Sequence, residues 1–195
     1  LNTVSTSVAE DFWPGWLGPE RNGWVKGFTP PARWPAELNK GWQRDVGTGY
    51  GSPLVSGRRV YLHARQGEQE VAWCLDLKTG AVIWREAYSA PFKIGGGGEY
   101  HGKGPKSTPV VADGRLFTLG ITEILSAFDA ASGELLWRHI PDFPLNAPLF
   151  GTAASPIVFG DVVVTHLGGR GQGALVAYAV SDGSERWRWS GDGPG

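Results

Sequence analysis

The chain holds a single cysteine, Cys74, and no methionine among its 195 residues. One thiol excludes an internal disulfide framework and any zinc site built from several cysteines. No stretch approaches the ~18 consecutive apolar residues that a membrane-crossing helix needs. An excess of either charge is also missing, since 18 Lys and Arg stand against 19 Asp and Glu, for a net −1. A nucleic-acid-binding protein neutralises phosphates with a basic surface, so that class is excluded. With 41% hydrophobic and 19% charged residues the chain can bury a core, which excludes wholesale disorder. A first residue of Leu1 and no Met anywhere are expected if the natural start lies elsewhere.

What is abundant is glycine (30), proline (14) and tryptophan (10). Together Gly and Pro stand near twice their usual share, which breaks helices and favours short strands joined by turns. Three segments then repeat one plan. Ser52-Pro53, Thr108-Pro109 and Ser155-Pro156 each open a unit, and Trp84, Trp137 and Trp187 close them. Successive tryptophans lie about 50 residues apart, the period of a stacked repeat. Each unit reads as four strands. In the second, Asp113-Gly114 is a hairpin signal, and Asp129 to Gly133 supplies a side-chain acceptor and a left-handed turn residue before the last strand. Asp76 and Gly80 match in the first unit. The third keeps Gly183 but has Ala179 in place of the aspartate, so its turn is expected to be held less firmly.

A four-stranded meander cannot cover both of its faces alone, so repeated units must stack, and radial stacking makes a β-propeller. The expected fold is all-β: a β-propeller of four-stranded antiparallel blades, in a partial ring. In it the recurrent indole docks one blade against the next and hydrogen-bonds through its N–H. The string Cys74, Asp76, Thr79, Gly80, Trp84 resembles the tryptophan-docking motif A-x-D-x-x-T-G-x-x-x-W of the pyrroloquinoline quinone (PQQ)-like repeat. Ala127, Asp129, Ser132, Gly133 and Trp137 fill it in the second unit; Ala177, Gly183 and Trp187 do so in the third. The opening WPGWLGPERNG resembles the lead-in of secreted bacterial proteins with such repeats.

This resemblance implies rings of seven or eight blades, of which the chain supplies about three and a half. Residues 1–39 form a lead-in and residues 40–195 the blades. Trp42 marks an outer strand over 40–46, and the blades span about 50–88, 106–140 and 153–190, incomplete at the C-terminus. The remaining blades of the same chain are then its first partners. Family members include PQQ-dependent dehydrogenases and non-catalytic scaffolds such as BamB, so fold alone does not decide function. The resemblance also implies export from the cytoplasm.

Strand order sends the long connections, 65–69, 86–106, 140–151 and 168–173, to one end, where a protein partner or small ligand is expected to bind. Residues 93–106 place Glu99, Tyr100, His101, Lys103 and Lys106 among glycines, as a cradle for an anion or as a solvated connector. His63 and His166 occupy equivalent positions in their units, each ten residues after the unit's proline, either facing the ligand end or buried structurally. Arg170 is a further loop cation. No metal site and no catalytic set stands out from the residues. Adjacent cysteines and motif-matched calcium ligands, as in some dehydrogenases of the family, are not found. The favoured expectation is a binding or scaffold module; the alternative is part of a PQQ-dependent alcohol or sugar dehydrogenase, with PQQ and Ca²⁺ implied by resemblance only.

Overall fold

The computed structural model describes residues 12–94, 98–141, 150–169 and 171–193. Among these residues thirteen strands form three antiparallel sheets. The first sheet, blade A, contains β1 (Phe12–Trp13), β2 (Leu54–Ser56), β3 (Arg59–Gln66), β4 (Gln69–Asp76) and β5 (Val82–Ser89) in that spatial order. Blade B is β6 (Val110–Ala112), β7 (Arg115–Leu119), β8 (Leu125–Asp129) and β9 (Leu135–His139). Blade C is β10 (Ile157–Phe159), β11 (Val162–Leu167), β12 (Gly173–Ala179) and β13 (Glu185–Gly191). The three do not close into a ring among the described residues.

The hairpins follow from their turn residues. Asp113 and Gly114 both take positive φ, 49° and 71°, the type I′ geometry whose twist suits a two-residue link. Asp129 Oδ1 accepts the N–H of Ala131 (2.9 Å) and of Ser132 (2.7 Å), and the Ser132 hydroxyl (2.9 Å). Asp76 does the same for Lys78 and Thr79. These bonds, led in Asp76 by the Thr79 hydroxyl, hold its carboxyl below the usual range. In blade C, Gly183 N–H still reaches Ala179 O (2.9 Å), and Asp182 Oδ1 accepts the Ser184 N–H (2.9 Å) in place of an aspartate at position 179.

The blades converge at their first strands, where β2 approaches β6 and β6 approaches β10. The residue before each proline bonds across this inner rim. Ser52 N–H donates to Thr108 Oγ1 (3.0 Å), and Thr108 N–H donates to Ser155 Oγ (2.9 Å). The core lies in layers between sheets. Leu54, Tyr61, Trp84, Leu116 and Phe128 fill the space between A and B. Val110, Phe117, Trp137, Val163 and Tyr178 fill that between B and C.

Tryptophan joins each layer by one geometry. Trp84 Nε1 donates to Ala130 O (3.1 Å), and Trp137 Nε1 to Val180 O (3.1 Å). Gly133 has φ +82°, and a Cβ there would lie 2.7 Å from the Trp84 ring, so glycine is required both by backbone and by contact. Gly183 meets Trp137 likewise. Trp187 has no such neighbour among the described residues and is 46% exposed.

Two expectations need correction. Residues 40–46 carry no assigned strand. A strand requires a hydrogen-bonded neighbour, and among the described residues this segment has none; it packs on the face of blade A by the indole geometry that Trp84 shows on blade B. Trp42 Nε1 donates to Leu77 O (2.9 Å), Arg44 Nε donates to Gly80 O (2.6 Å), and the Trp42 ring rests on Gly80. The supposed long connection at 65–69 is a two-residue turn, because β3 and β4 stay paired out to Gln66 and Gln69.

Candidate functional site

The connection from blade A to blade B starts after Ser89, later than the sequence suggested, because β5 stays paired to β4 through Ala87, Tyr88 and Ser89. It carries one 3-10 turn, Gly98–His101, and is tied back to residues 48–50. Tyr50 N–H donates to Pro105 O (2.8 Å), and the Tyr50 hydroxyl donates to His101 O. Lys106 donates to the same carbonyl (3.3 Å) and its Nζ stands 4.5 Å from the Tyr50 ring centre. Partial burial lowers its ammonium pKa below the ordinary value. Lys103 pairs with Glu68 (3.6 Å). The His101 ring lies 4.8 Å from that of Phe150, while Tyr100 projects outward, 97% exposed. Tyr50, His101, Lys103 and Lys106 are thus brought together around a pinned loop. The Glu99 side chain, Arg170 and most of 140–151 lie outside the described residues.

His63 and His166 are not brought together. Their strands belong to blades A and C, with blade B between them. His166 Nε2 contacts Asp192 O at 2.8 Å. His63 is fully enclosed in the wall between blades. Its Nε2 lies 3.0 Å from the Tyr88 hydroxyl, which donates to Glu70 Oε2 at 2.9 Å. That direction assigns the proton to His63 Nε2, and leaves Nδ1 buried without a partner among the described residues. Protonation would bury a charge, so burial lowers the imidazole pKa, against the raising effect of Glu70 at 3.7 Å. Arg138, whose guanidinium carbon sits 4.1 Å from the Tyr88 ring centre, reinforces the lowering.

The sign of the pH effect follows. His63 is neutral in the folded wall, whereas the unfolded chain binds a proton near the ordinary pKa of about 6.5. Stability is therefore full above that value and declines as pH falls from it toward the depressed folded pKa. Denaturant midpoints measured from pH 7.5 to 5.5 are expected to fall. His63→Leu should flatten that profile, and an unchanged slope would remove His63 as its origin.

The residues that sequence reasoning missed are acidic. Glu70 Oε1 accepts Ile121 N–H (2.8 Å) from blade B, and Glu123 Oε1 accepts Gly168 N–H (2.6 Å) from blade C. Both are buried, and Thr152 Oγ1 also donates to Glu123 (3.1 Å). Burial raises the Glu123 carboxyl pKa, against the lowering effect of these bonds. A signal for them was present, since each Glu stands four residues before the opening Cys74 or Ala127 of the docking string. Gly173 takes that place in blade C. Glu70 accepts on both carboxylate oxygens, whereas the two bonds to Glu123 converge on Oε1. Among the described residues no group of three or more His, Cys, Asp or Glu is placed to hold a metal ion. Burial pushes the Cys74 thiol up to about 11, which keeps it protonated and unreactive.

A cleft of about 510 Å³ lies at the inner rim, between the lead-in (Pro14, Trp16, Arg21) and Val110, Ile157 and Val158 of blades B and C. Lys106 contributes to its lining.

Comparison with known proteins places this geometry. The family model for "Outer membrane protein assembly factor BamB" matches residues 22–193. The BamB of Shewanella oneidensis is 27% identical over 152 residues, covering 75% of this chain and 35% of that protein. The solved BamB of Moraxella catarrhalis superposes with a TM-score of 0.53 at 21% identity, covering 76% of this chain and 38% of that one. A europium-containing methanol dehydrogenase gives 0.56 at 24% identity, with 76% and 26% covered. At these identities the structural likeness establishes the fold alone, and the chain spans well under half the length of each. Repeated indole-on-glycine contacts between antiparallel blades of four or five strands and a family match over most of the sequence lead to one conclusion: the chain belongs to the BamB family of PQQ-like repeat β-propellers.

Proposed function

We propose that the chain is part of an exported propeller that acts as a binding or scaffold module and engages a protein partner at the end bearing Tyr100. The observation that carries this reading is the pinned 98–106 loop. It holds a nearly fully exposed aromatic side chain on a backbone fixed by Tyr50 and Pro105, beside the exposed Phe150. Aromatic groups on a rigid support bind protein surfaces at low entropic cost. The enclosed titratable groups His63, Glu70 and Tyr88 bond to one another, and Glu70 also bonds to blade B, which supports a structural role for them. One relative is named an outer membrane protein assembly factor, which favours an extracytoplasmic location and a protein partner.

The test uses the full-length protein. Calorimetry with PQQ and Ca²⁺ is expected to show no stoichiometric uptake, and alcohols are expected to give no dye reduction. A photo-crosslinking residue at position 100 should yield a discrete protein adduct, absent when the residue is placed at the exposed turn position 78. Tight PQQ uptake with dye-linked alcohol oxidation would establish the dehydrogenase alternative instead.

A further inference from the structure

Residues 12–21 run along the inner rim and touch the first strand of all three blades. Phe12 and Trp13 pair antiparallel with Ser56 and Val55 of β2. Pro14 O accepts Val111 N–H of β6 (2.8 Å), and the Arg21 guanidinium donates to Val158 O of β10 (3.0 Å). These partners lie on inner edge strands, whose open backbone groups form a template for one more strand. The attachment is sparse: a two-residue strand, one further backbone bond and one side-chain bond. Beyond it the segment bonds mainly to itself, Gly18 N–H to Gly15 O (3.0 Å) and Gly23 N–H to Leu17 O (2.9 Å). Phe12, Trp16 and Leu17 remain exposed. An open cleft of about 510 Å³ also lies between the segment and parts of β6 and β10, beside the direct contacts of Pro14 and Gly15 with β6. Few bonds and exposed apolar side chains mark a segment that opens before the sheets do.

We propose that residues 12–21 form an intramolecular latch: they fill, in cis, a strand-accepting inner rim made by β2, β6 and β10. The latch opens independently of the blades, and opening frees the rim for the same segment supplied in trans. The family match begins at residue 22, so the latch precedes it. The inference stands apart from the partner assigned to the Tyr100 end, since it concerns the backbone edges of β2, β6 and β10, although Lys106 of the pinned loop also lines the cleft.

Hydrogen exchange on the full-length protein tests it, with a synthetic peptide of residues 12–23 as probe. The Val111 amide, which bonds to the latch, should exchange at least about 10-fold faster than the amides of Leu125–Asp129 in mid-sheet. Gly18→Val drives a side chain into the Trp13 ring, which lies 2.7 Å from a Cβ at that position. It should speed Val111 exchange by a further order of magnitude and leave β8 unchanged, and the peptide should restore protection. Exchange of Val111 at the β8 rate in the wild-type protein would overturn the latch. Failure of the peptide to protect an opened rim would overturn strand acceptance. Should Gly18→Val not fold, Trp13→Ala opens the same contact, and the wild-type comparison still decides the first point.

Discussion

In a protein limited to these 195 residues, Trp137→Ala is expected to lower the unfolding free energy by about 3–5 kcal/mol, whereas Trp187→Ala should change it by less than about 1 kcal/mol. The two tryptophans hold equivalent positions in their blades, so the difference isolates docking. Trp137 is 9% exposed, donates to Val180 O and stacks near Phe117, with ring centres 5.8 Å apart. Its removal empties the layer between blades B and C and leaves a carbonyl unpaired. Trp187, with no blade facing it among the described residues, has little packing to lose. Denaturant unfolding of both variants checks this. Equal losses would mean that the indole stabilises its own sheet and not the joint between sheets. Trp137→Phe keeps the ring volume largely in place and loses the N–H, so it should cost about 1–2 kcal/mol.

The second large effect is at Glu70. Its carboxylate accepts from Ile121 N–H across the blade joint and from the Tyr88 hydroxyl within blade A, at full burial. Glu70→Ala leaves both donors buried and unsatisfied, which should cost about 3 kcal/mol or more. Glu70→Gln can still accept from Ile121 through its amide oxygen, so it should lose less than half as much. A double-mutant cycle with Tyr88→Phe reads the coupling directly, expected at about 1 kcal/mol, since the two share one hydrogen bond. If Glu70→Ala proved neutral, the buried carboxylate would not be joining the blades.

Much of the fold was legible because its signals are local. Asp113-Gly114 needs only its own backbone to turn a hairpin, and Asp76 and Asp129 bond to amides within three residues. The spacing of Trp84, Trp137 and Trp187 revealed the repeat, because each unit places the indole at one register position. The Ser or Thr before each unit's proline was noticed as a repeat marker. Its bond to the next blade's hydroxyl was not, since that partner lies about 50 residues away. Glu70 and Glu123 were missed for a related reason. In sequence a glutamate beside a turn reads as a solvated charge, and only the next blade's amide makes its burial tolerable.

The candidate site was less legible. His63 and His166 are equivalent in sequence, yet one is sealed in a wall beside Tyr88 and Glu70 and the other meets the backbone at Asp192. Position within a repeat gives a side chain its direction; the neighbouring blade determines what it meets. The 40–46 segment shows the same limit. Trp42 was read as the mark of an outer strand, but its docking on Leu77 and Gly80 of blade A, without a paired strand around it, depends on which neighbours are there.

By itself the sequence determined the blade pattern, the turns and the recurrence of the indoles, because backbone preference and alternating burial act over a few residues. Tertiary structure alone decided which polar groups are enclosed, how the lead-in crosses the inner rim, and which aromatic groups stay exposed. Those outcomes arise where one sheet removes water from another, and no run of neighbouring residues contains that information.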